Sequence, residues 1–463
     1  MKTLEVDVAI VGAGTAGLTA RHAAAKAGAR TVLIEQGPHG TTCARVGCMP
    51  SKLLIAAAEA AHAARHGTPY GVHAENVRVD GEEVMRRVRQ ERDRFVGYVL
   101  RDIEALPPEE TLSGRARFLS DTVLDVGGHT QVEARSVVIA TGNRPHIPPP
   151  YEPLGDRAIV NDDVFEWQEL PESVLVIGAG VIGLELGQAL ARLGVRTRIL
   201  QRSRRLGGLR DPAVLDSAIE AFSDELDLCL EAAILDIRRV GKEAEVRYQM
   251  PGLPEVTERF DHVLLATGRV PNFDELGLEN TAAEFDEQGQ PVFDRETLQL
   301  KNTPIFLAGD VNGMRPLLHE AADDGRIAGA NAAAWPNGVT PGQRRAGLSI
   351  VFSDPQLAAA GLRFNELPAD VVVGEVDFAN QGRARIMLKN RGKLRVYVAR
   401  DSGVFLGAEM AGPAMEHIGH MLAWAAQQRL TVAQMLDMPF YHPVVEEGLR
   451  TALQDAARAL RRG

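Results

Sequence analysis

Two stretches of the chain run apolar, stop at a glycine cluster, and resume with the spacing of a helix. The first is Val6 to Val11, followed by Gly12-Ala13-Gly14-Thr15-Ala16-Gly17 and the helical run Leu18 to Gly28. The second is Ser173 to Ile177, followed by Gly178-Ala179-Gly180-Val181-Ile182-Gly183. Each is succeeded by another short strand, Arg30 to Ile34 leading into Glu35, and Thr197 to Leu200 leading into Gln201. Both end residues lie 23 positions after the first glycine of their cluster (35 − 12 and 201 − 178). Three glycines in this setting give a tight turn, let the backbone approach a pyrophosphate and let the helix pack closely on the strand, while the helix N-terminus favours phosphate charge. A carboxylate at position 35 is suited to ribose hydroxyls. The pattern predicts dinucleotide binding twice, at Gly12, Gly14, Gly17 and Glu35, and at Gly178, Gly180, Gly183 and Gln201.

Each copy later reaches an apolar strand ending in Ala-Thr-Gly: Val137 to Gly142, with Thr141 and Gly142, and Val263 to Gly268. The distance from first glycine to this landmark is 128 residues in the first copy and 88 in the second, so the first carries 40 more. The proline-rich stretch Arg144 to Pro153 is incompatible with α-helix or central strand and reads as a linker. Beyond about residue 341 the pattern changes, with a strand-like stretch Ala384 to Val398 and helical runs 413 to 428 and 443 to 461. The expected class is α/β: two dinucleotide-binding, Rossmann-like domains plus a C-terminal α+β domain. The expected boundaries are 1–150, 151–270, a return to the first domain over 271–340, and 341–463.

Composition narrows the chemistry. The chain has 463 residues, 45% hydrophobic and 24% charged, enough for several cores. Its net charge of -11 and 5% aromatic content suit neither a phosphate backbone nor base stacking, so nucleic acid is not an expected partner. Three cysteines cannot build a secreted disulfide framework. The charged start Met1 to Asp7 does not read as a signal peptide, and no apolar run reaches membrane-spanning length. A cytoplasmic protein is expected, and no metal site.

Cys43 and Cys48 stand five apart in Thr42-Cys43-Ala44-Arg45-Val46-Gly47-Cys48-Met49-Pro50-Ser51-Lys52, ahead of the alanine-rich helix Leu53 to His66. Pro50 suits a first helical turn, and a thiol there has its thiolate favoured by the helix dipole. Taken with both glycine fingerprints, both Ala-Thr-Gly strands, Leu307-Ala308-Gly309-Asp310 and His442-Pro443, this block makes the chain resemble the FAD-dependent pyridine nucleotide-disulfide oxidoreductases. That family includes dihydrolipoyl dehydrogenase, glutathione reductase and mercuric reductase, and the resemblance covers essentially the whole chain. It implies FAD on the first fingerprint, NAD(H) or NADP(H) on the second, and a homodimer.

The resemblance further implies a Cys43–Cys48 redox disulfide, in which Cys43 exchanges with substrate and Cys48 communicates with the flavin. Lys52, paired with Glu185, matches the family lysine at the reactive flavin edge, where a cation stabilises reduced, anionic flavin. Asp310 matches the carboxylate that holds the ribityl chain. Thr42, Ala116, Thr141 and Gly142 are expected at the cofactors, as are Gly268, Arg269, Leu317 and His319. Thiol-disulfide exchange needs a proton acceptor, and His442 oriented by Glu447, five residues on, matches the family's base pair. Phe440, Tyr441 and Val444 depart from the family pattern around it.

Coenzyme and substrate point in different directions. Gln201 removes the carboxylate that selects NAD, and Arg202 and Arg204 add cations suited to a 2'-phosphate. The segment Pro316 to Ala321, however, resembles that of dihydrolipoyl dehydrogenases more than that of glutathione reductases, which makes a dihydrolipoyl or other small disulfide the expected substrate and a lipoyl-bearing carrier a candidate partner. Ala44-Arg45 departs from those enzymes. An NADPH-dependent reductase of another disulfide, and an electron-transfer flavoprotein docking to a carrier domain, are the alternatives. No cysteine follows Cys229, which disfavours mercuric reductase and large thioredoxin reductases. The cysteine pair itself argues against a transhydrogenase.

Overall fold

Val8, Ala9 and Ile10 are fully buried, as a strand covered on both faces requires. In the computed structural model, which describes residues 2–301 and 303–462, they form the middle of strand Lys2–Val11. This strand pairs in parallel with Thr31–Glu35 on one side and Thr130–Ile139 on the other. The outer edge of Thr130–Ile139 pairs antiparallel with Val123–Val126 along its first half and parallel with Ile305–Leu307 along its second. Helices Thr15–Lys26 and Leu318–Ala334 pack against each other. A Cβ at Gly325 or Gly329 would overlap the backbone oxygen of Ala16 or Ala20, so these two glycines, one turn apart, let the helices meet backbone to backbone. These elements belong to one compact unit, built from the chain up to Pro50, Arg89–His146 and Gly268–Arg345.

The second unit comprises Ser51–Val88, Ile147–Thr267 and the chain from Ala346 onward. Its parallel sheet repeats the first plan: Ser173–Ile177 lies between Arg196–Gln201 and His262–Leu265, extended by Asp227–Leu230 and Ala158–Ile159. Helix Val181–Arg192 follows the second glycine cluster. A five-stranded antiparallel sheet, in the order Leu348–Val351, Gln356–Gly361, Phe405–Gly412, Lys393–Ala399, Val371–Asp377, is covered by helices Met415–Gln427 and Glu447–Arg462.

The predicted elements of both dinucleotide folds appear within a few residues of expectation. The proline-rich stretch forms the short strand Asn143–Pro145, paired with Arg269–Pro271, and then 3-10 turns over Pro149–Arg157 broken at Gly155. One expectation fails: Ala384 to Val398 is not one strand. Gln381 caps a short helix, Gly382–Ile386, by accepting the Ala384 N–H at 2.7 Å, and the chain turns through left-handed Leu388 and Gly392 before strand Lys393–Ala399. The local cap outweighs the alternating pattern. Among the described residues no helix is long and apolar enough to cross a membrane.

Candidate active site

The first glycine turn is shaped by contacts that exclude any side chain. Gly12 has φ +108°, and a Cβ there would overlap the carbonyl of Ala140, while one at Gly17 would overlap the Gly12 carbonyl. Gly14 faces open space and begins helix Thr15–Lys26 with no side-chain cap, which leaves first-turn N–H groups for an anion. Glu35 closes the turn: its Oε2 accepts the Ala13 N–H at 2.8 Å and its Oε1 the Gly37 N–H at 3.0 Å. Around these residues is a cavity of about 580 Å³, whose walls also include Thr42, Ala116, Thr141 and Gly142. His39 stands on its wall with a buried Nδ1 that finds no hydrogen-bond partner among the described residues. An uncapped helix N-terminus, an acceptor at the ribose position and an orphaned imidazole nitrogen fit the adenosine diphosphate half of FAD.

Asp310 belongs to the same unit. Burial pushes its carboxyl up, while the Arg269 guanidinium and a hydrogen bond from Asn143 pull it down. Arg269 in turn donates through Nε to Asn143 Oδ1 at 2.6 Å and through Nη2 to the Asn143 carbonyl at 3.2 Å. Asn143 was missed in the sequence, although a signal existed: Asn143 and Arg269 each follow an Ala-Thr-Gly, so the repeat marks both. Thr141 and Asn272 bond each other reciprocally, Thr141 Oγ1 donating to the Asn272 carbonyl and Asn272 Nδ2 to the Thr141 carbonyl. Leu317 and His319 sit at the start of helix Leu318–Ala334, outside the cavity wall, and His319 Nε2 is another buried nitrogen with no hydrogen-bond partner among the described residues.

Cys43 lies half-buried in helix Thr42–Val46, and Cys48 is exposed at the start of helix Cys48–Arg65, with Pro50 in its first turn. Gly47 between them is close enough to Cys43 that an added Cβ would come within 3.2 Å of its Cα. Thr41, with φ +59°, caps the first of these helices by accepting the Ala44 N–H on Oγ1 at 3.2 Å.

In the second unit, Gly178 has φ +105°, Gly183 packs on its carbonyl, and Gly180 begins helix Val181–Arg192 without a side-chain cap. Gln201 accepts the Ala179 N–H on Oε1 at 3.1 Å and donates from Nε2 to Ser203 Oγ at 3.1 Å. Arg202 is exposed, and Arg204 pairs with Asp216 at 2.7 Å. Lys52 Nζ lies 2.7 Å from Glu185 Oε2 and 4.6 Å from the centre of the Phe352 ring.

His442 is 80% exposed and its Nδ1 lies 3.0 and 3.1 Å from the two oxygens of Glu447. Glu447, first residue of helix Glu447–Arg462, also accepts from Val444 N at 3.3 Å and Arg450 Nη2 at 3.1 Å. The His442 hydrogen bond is the main cause holding its carboxyl below the usual range. With Nδ1–H donating to the carboxylate, Nε2 is the nitrogen left to accept a proton.

Two glycine-turn nucleotide folds, a cysteine pair at a helix start, a lysine–glutamate pair and a histidine–glutamate pair define an oxidoreductase of the flavin disulfide class. The chain belongs to the pyridine nucleotide-disulphide oxidoreductase family: residues 6–333 match the family and residues 348–453 match its dimerisation domain. FAD and a nicotinamide nucleotide are the cofactors of this family, and the dimerisation domain is the segment through which its homodimers form. The chain is similar to dihydrolipoyl dehydrogenase of Geobacillus stearothermophilus, 30% identical over 456 residues with 96% of this chain and 94% of that one covered. It is 28% identical to dihydrolipoyl dehydrogenase of Chlamydia trachomatis, over 95% of this chain and 94% of that one. A mercuric reductase of Staphylococcus aureus is 27% identical over 97% of this chain and 82% of its own length. The fold is shared with LpdA of Mycobacterium tuberculosis, at a TM-score of 0.82 and 24% identity with 99% and 100% of the two chains covered. It is likewise shared with the HOCl-induced flavoprotein disulfide reductase RclA of Escherichia coli, in its Cu(II) complex, at 0.82 and 24% over 97% and 99%.

Proposed function

We propose that the protein exchanges electron pairs between a small dithiol, of the dihydrolipoyl type, and a nicotinamide nucleotide through Cys43 and Cys48. The observation that carries this reading is the cysteine pair itself: one sulfur half-buried in a short helix, the other at a helix N-terminus, with a closely packed glycine between them. A substrate thiolate attacks Cys43 Sγ of the oxidised pair, the Cys43–Cys48 bond breaks, and Cys48 leaves as a thiolate stabilised by its helix start. The second substrate thiol then displaces Cys43, so the substrate gains one S–S bond and the pair becomes dithiol. His442 Nε2 takes the thiol proton while Glu447 holds Nδ1–H and stabilises the imidazolium. In the dimer such a histidine serves the cysteine pair of the other subunit. Bound FAD would supply the redox chemistry that links the thiol pair to the nicotinamide. Lys52, fixed by Glu185, provides the positive charge for that flavin, and Asp310 with Asn143 and Arg269 holds its ribityl side. Three cysteines and no disulfide framework support a reducing, cytoplasmic setting. A lipoyl-bearing domain is the proposed carrier of the dithiol.

Anaerobic titration with dihydrolipoamide tests this. A long-wavelength thiolate-to-flavin band at about one equivalent is the expected result, and Cys43→Ser keeps the flavin but loses disulfide exchange. Full exchange activity in Cys43→Ser would remove the cysteines from the mechanism. A second reading, an NADPH-dependent reductase of another disulfide, is favoured by the Gln201 amide and the exposed Arg202. A band with NADPH but none with dihydrolipoamide would select it, and a strong NADH preference persisting in Arg202→Ala would exclude it.

A further inference from the structure

Helix Val181–Arg192 carries three polar side chains on a covered face, Glu185, Gln188 and Arg192, between 4 and 8% exposed. Buried polar groups cost free energy unless each finds partners. All three reach one loop, Phe352 to Asp354, alongside partners elsewhere. Glu185 divides its carboxylate: Oε2 takes Lys52, and Oε1 accepts the Phe352 N–H at 2.9 Å. Gln188 accepts the Asp354 N–H at 2.8 Å and donates to the Asp354 carbonyl at 2.8 Å, so one amide pairs both backbone groups of a residue as a neighbouring strand would. Its Nε2 also donates to Glu225 Oε2 at 3.0 Å. Arg192 bonds Glu225 through Nε and Nη2 and reaches Asp354 Oδ2 at 3.4 Å, where Lys389 also lies at 3.1 Å. Burial works against the Asp354 charge, but Lys389 and Arg192 hold its carboxyl below the usual range.

The consequence falls on Lys52. Phe352 touches the lysine–glutamate pair twice, through its N–H on Glu185 and through its ring, 4.6 Å from the ammonium. A cation over an aromatic face is attracted to it, and a carboxylate anchored by one oxygen cannot swing away. We propose that Gln188 is a positioning residue for Lys52: its two-point grip on Asp354 fixes the loop that presents Phe352 to both members of the Lys52–Glu185 pair. The inference builds on the reading of Lys52 as the cation that serves the flavin. The amide supplies at once the donor and the acceptor this grip needs. Leucine fills the volume but pairs neither backbone group, and glutamate loses the donor and faces Glu225.

The test uses the holoenzyme with lysine labelled at its ε-carbon, the Lys52 resonance being assigned with Lys52→Arg. Phe352 shifts that resonance by its ring current, so Phe352→Leu sets the unclamped position. Gln188→Leu moves the Lys52 resonance toward that position, and the near-isosteric Gln188→Glu does the same if the leucine variant fails to fold. The flavin potential supplies the second arm. Gln188→Leu lowers the equilibrium constant for flavin reduction roughly three- to tenfold alone, and by less than about twofold when added to Lys52→Met, because both changes act through one group. An unmoved Lys52 resonance in both Gln188 variants, or additive effects on the potential, overturns the proposal. A resonance that moves while Lys52→Met leaves the potential unchanged upholds the Gln188 grip and removes Lys52 from the flavin.

Discussion

The two glycine turns of this chain are near copies in backbone and different in charge. Gly12 and Gly178 hold φ of +108° and +105°, and each lies against the carbonyl of the alanine in its own Ala-Thr-Gly strand. The uncapped helix starts at Gly14 and Gly180 have φ of -77° and -73°. In both, the residue ending the second strand accepts the N–H between the first two glycines, from Ala13 to Glu35 and from Ala179 to Gln201. That hydrogen bond needs only an acceptor, and carboxylate and amide both provide one. What differs is the remainder of the group. Glu35 spends its other oxygen on Gly37 N–H and keeps a charge, whereas Gln201 turns a donor toward Ser203 beside a run of arginines. The turn is therefore a scaffold set by sterics, and ligand choice is written in one end group that the scaffold tolerates in either form.

The largest effect is expected where the scaffold itself is broken. Gly12→Ala forces a side chain into a left-handed backbone and against Ala140, costing about 1–3 kcal/mol for the torsion alone. It should yield protein without flavin colour, while Gly178→Ala keeps the flavin and raises the KM for nicotinamide nucleotide roughly ten- to hundredfold. Absorbance ratios and coenzyme kinetics read the two, and a Gly12→Ala protein with full flavin would end the comparison.

Exchanging the end groups is the milder operation. Glu35→Gln keeps the acceptor for Ala13 but gives up a charge-assisted bond, about 1.5–3 kcal/mol, or roughly ten- to hundredfold in FAD affinity. Gln201→Glu should shift preference toward NADH by about tenfold in kcat/KM, by repelling a 2'-phosphate. Equal NADH and NADPH kinetics in Gln201→Glu and the parent would show that the arginines alone decide.

The smallest effect extends the carboxylate-against-amide contrast to Glu447, whose folded pKa is depressed chiefly by the His442 hydrogen bond. A depressed carboxyl stabilises the fold above its unfolded pKa and loses that contribution as pH falls through the folded value. The Tm difference between the parent and Glu447→Gln should accordingly be present at neutral pH and close once pH falls below the ordinary carboxylate range; a gap that persists there contradicts the assignment.

Much of this was legible because it is local. The glycine spacing, the residue 23 positions on and the cysteine block are local sequence patterns, although the glycine turns finally close on Ala140 and Ala266, so Gly12, Glu35, Gly178, Gln201, Cys43 and Cys48 stood out in the sequence. Lys52 with Glu185, 133 residues apart, was legible only through family resemblance. Local rules also misled: the stretch from Ala384 alternated like a strand, yet Gln381 caps it into a short helix first.

By itself, then, the sequence determined two nucleotide turns, their differing end charges and a cysteine pair at a helix start, since each is specified by which side chains a tight backbone can accept. Tertiary structure decided that Asn143 and Arg269, which the repeat marks without pairing, would join Asp310, and that Gln188 would grip Asp354. Those groups are 126 and 166 residues apart, and no periodicity encodes a partner at such range. They were chosen by burial: once the strands and helices had closed around them, each polar group had to find a partner within reach, and the ones it found now shape the site.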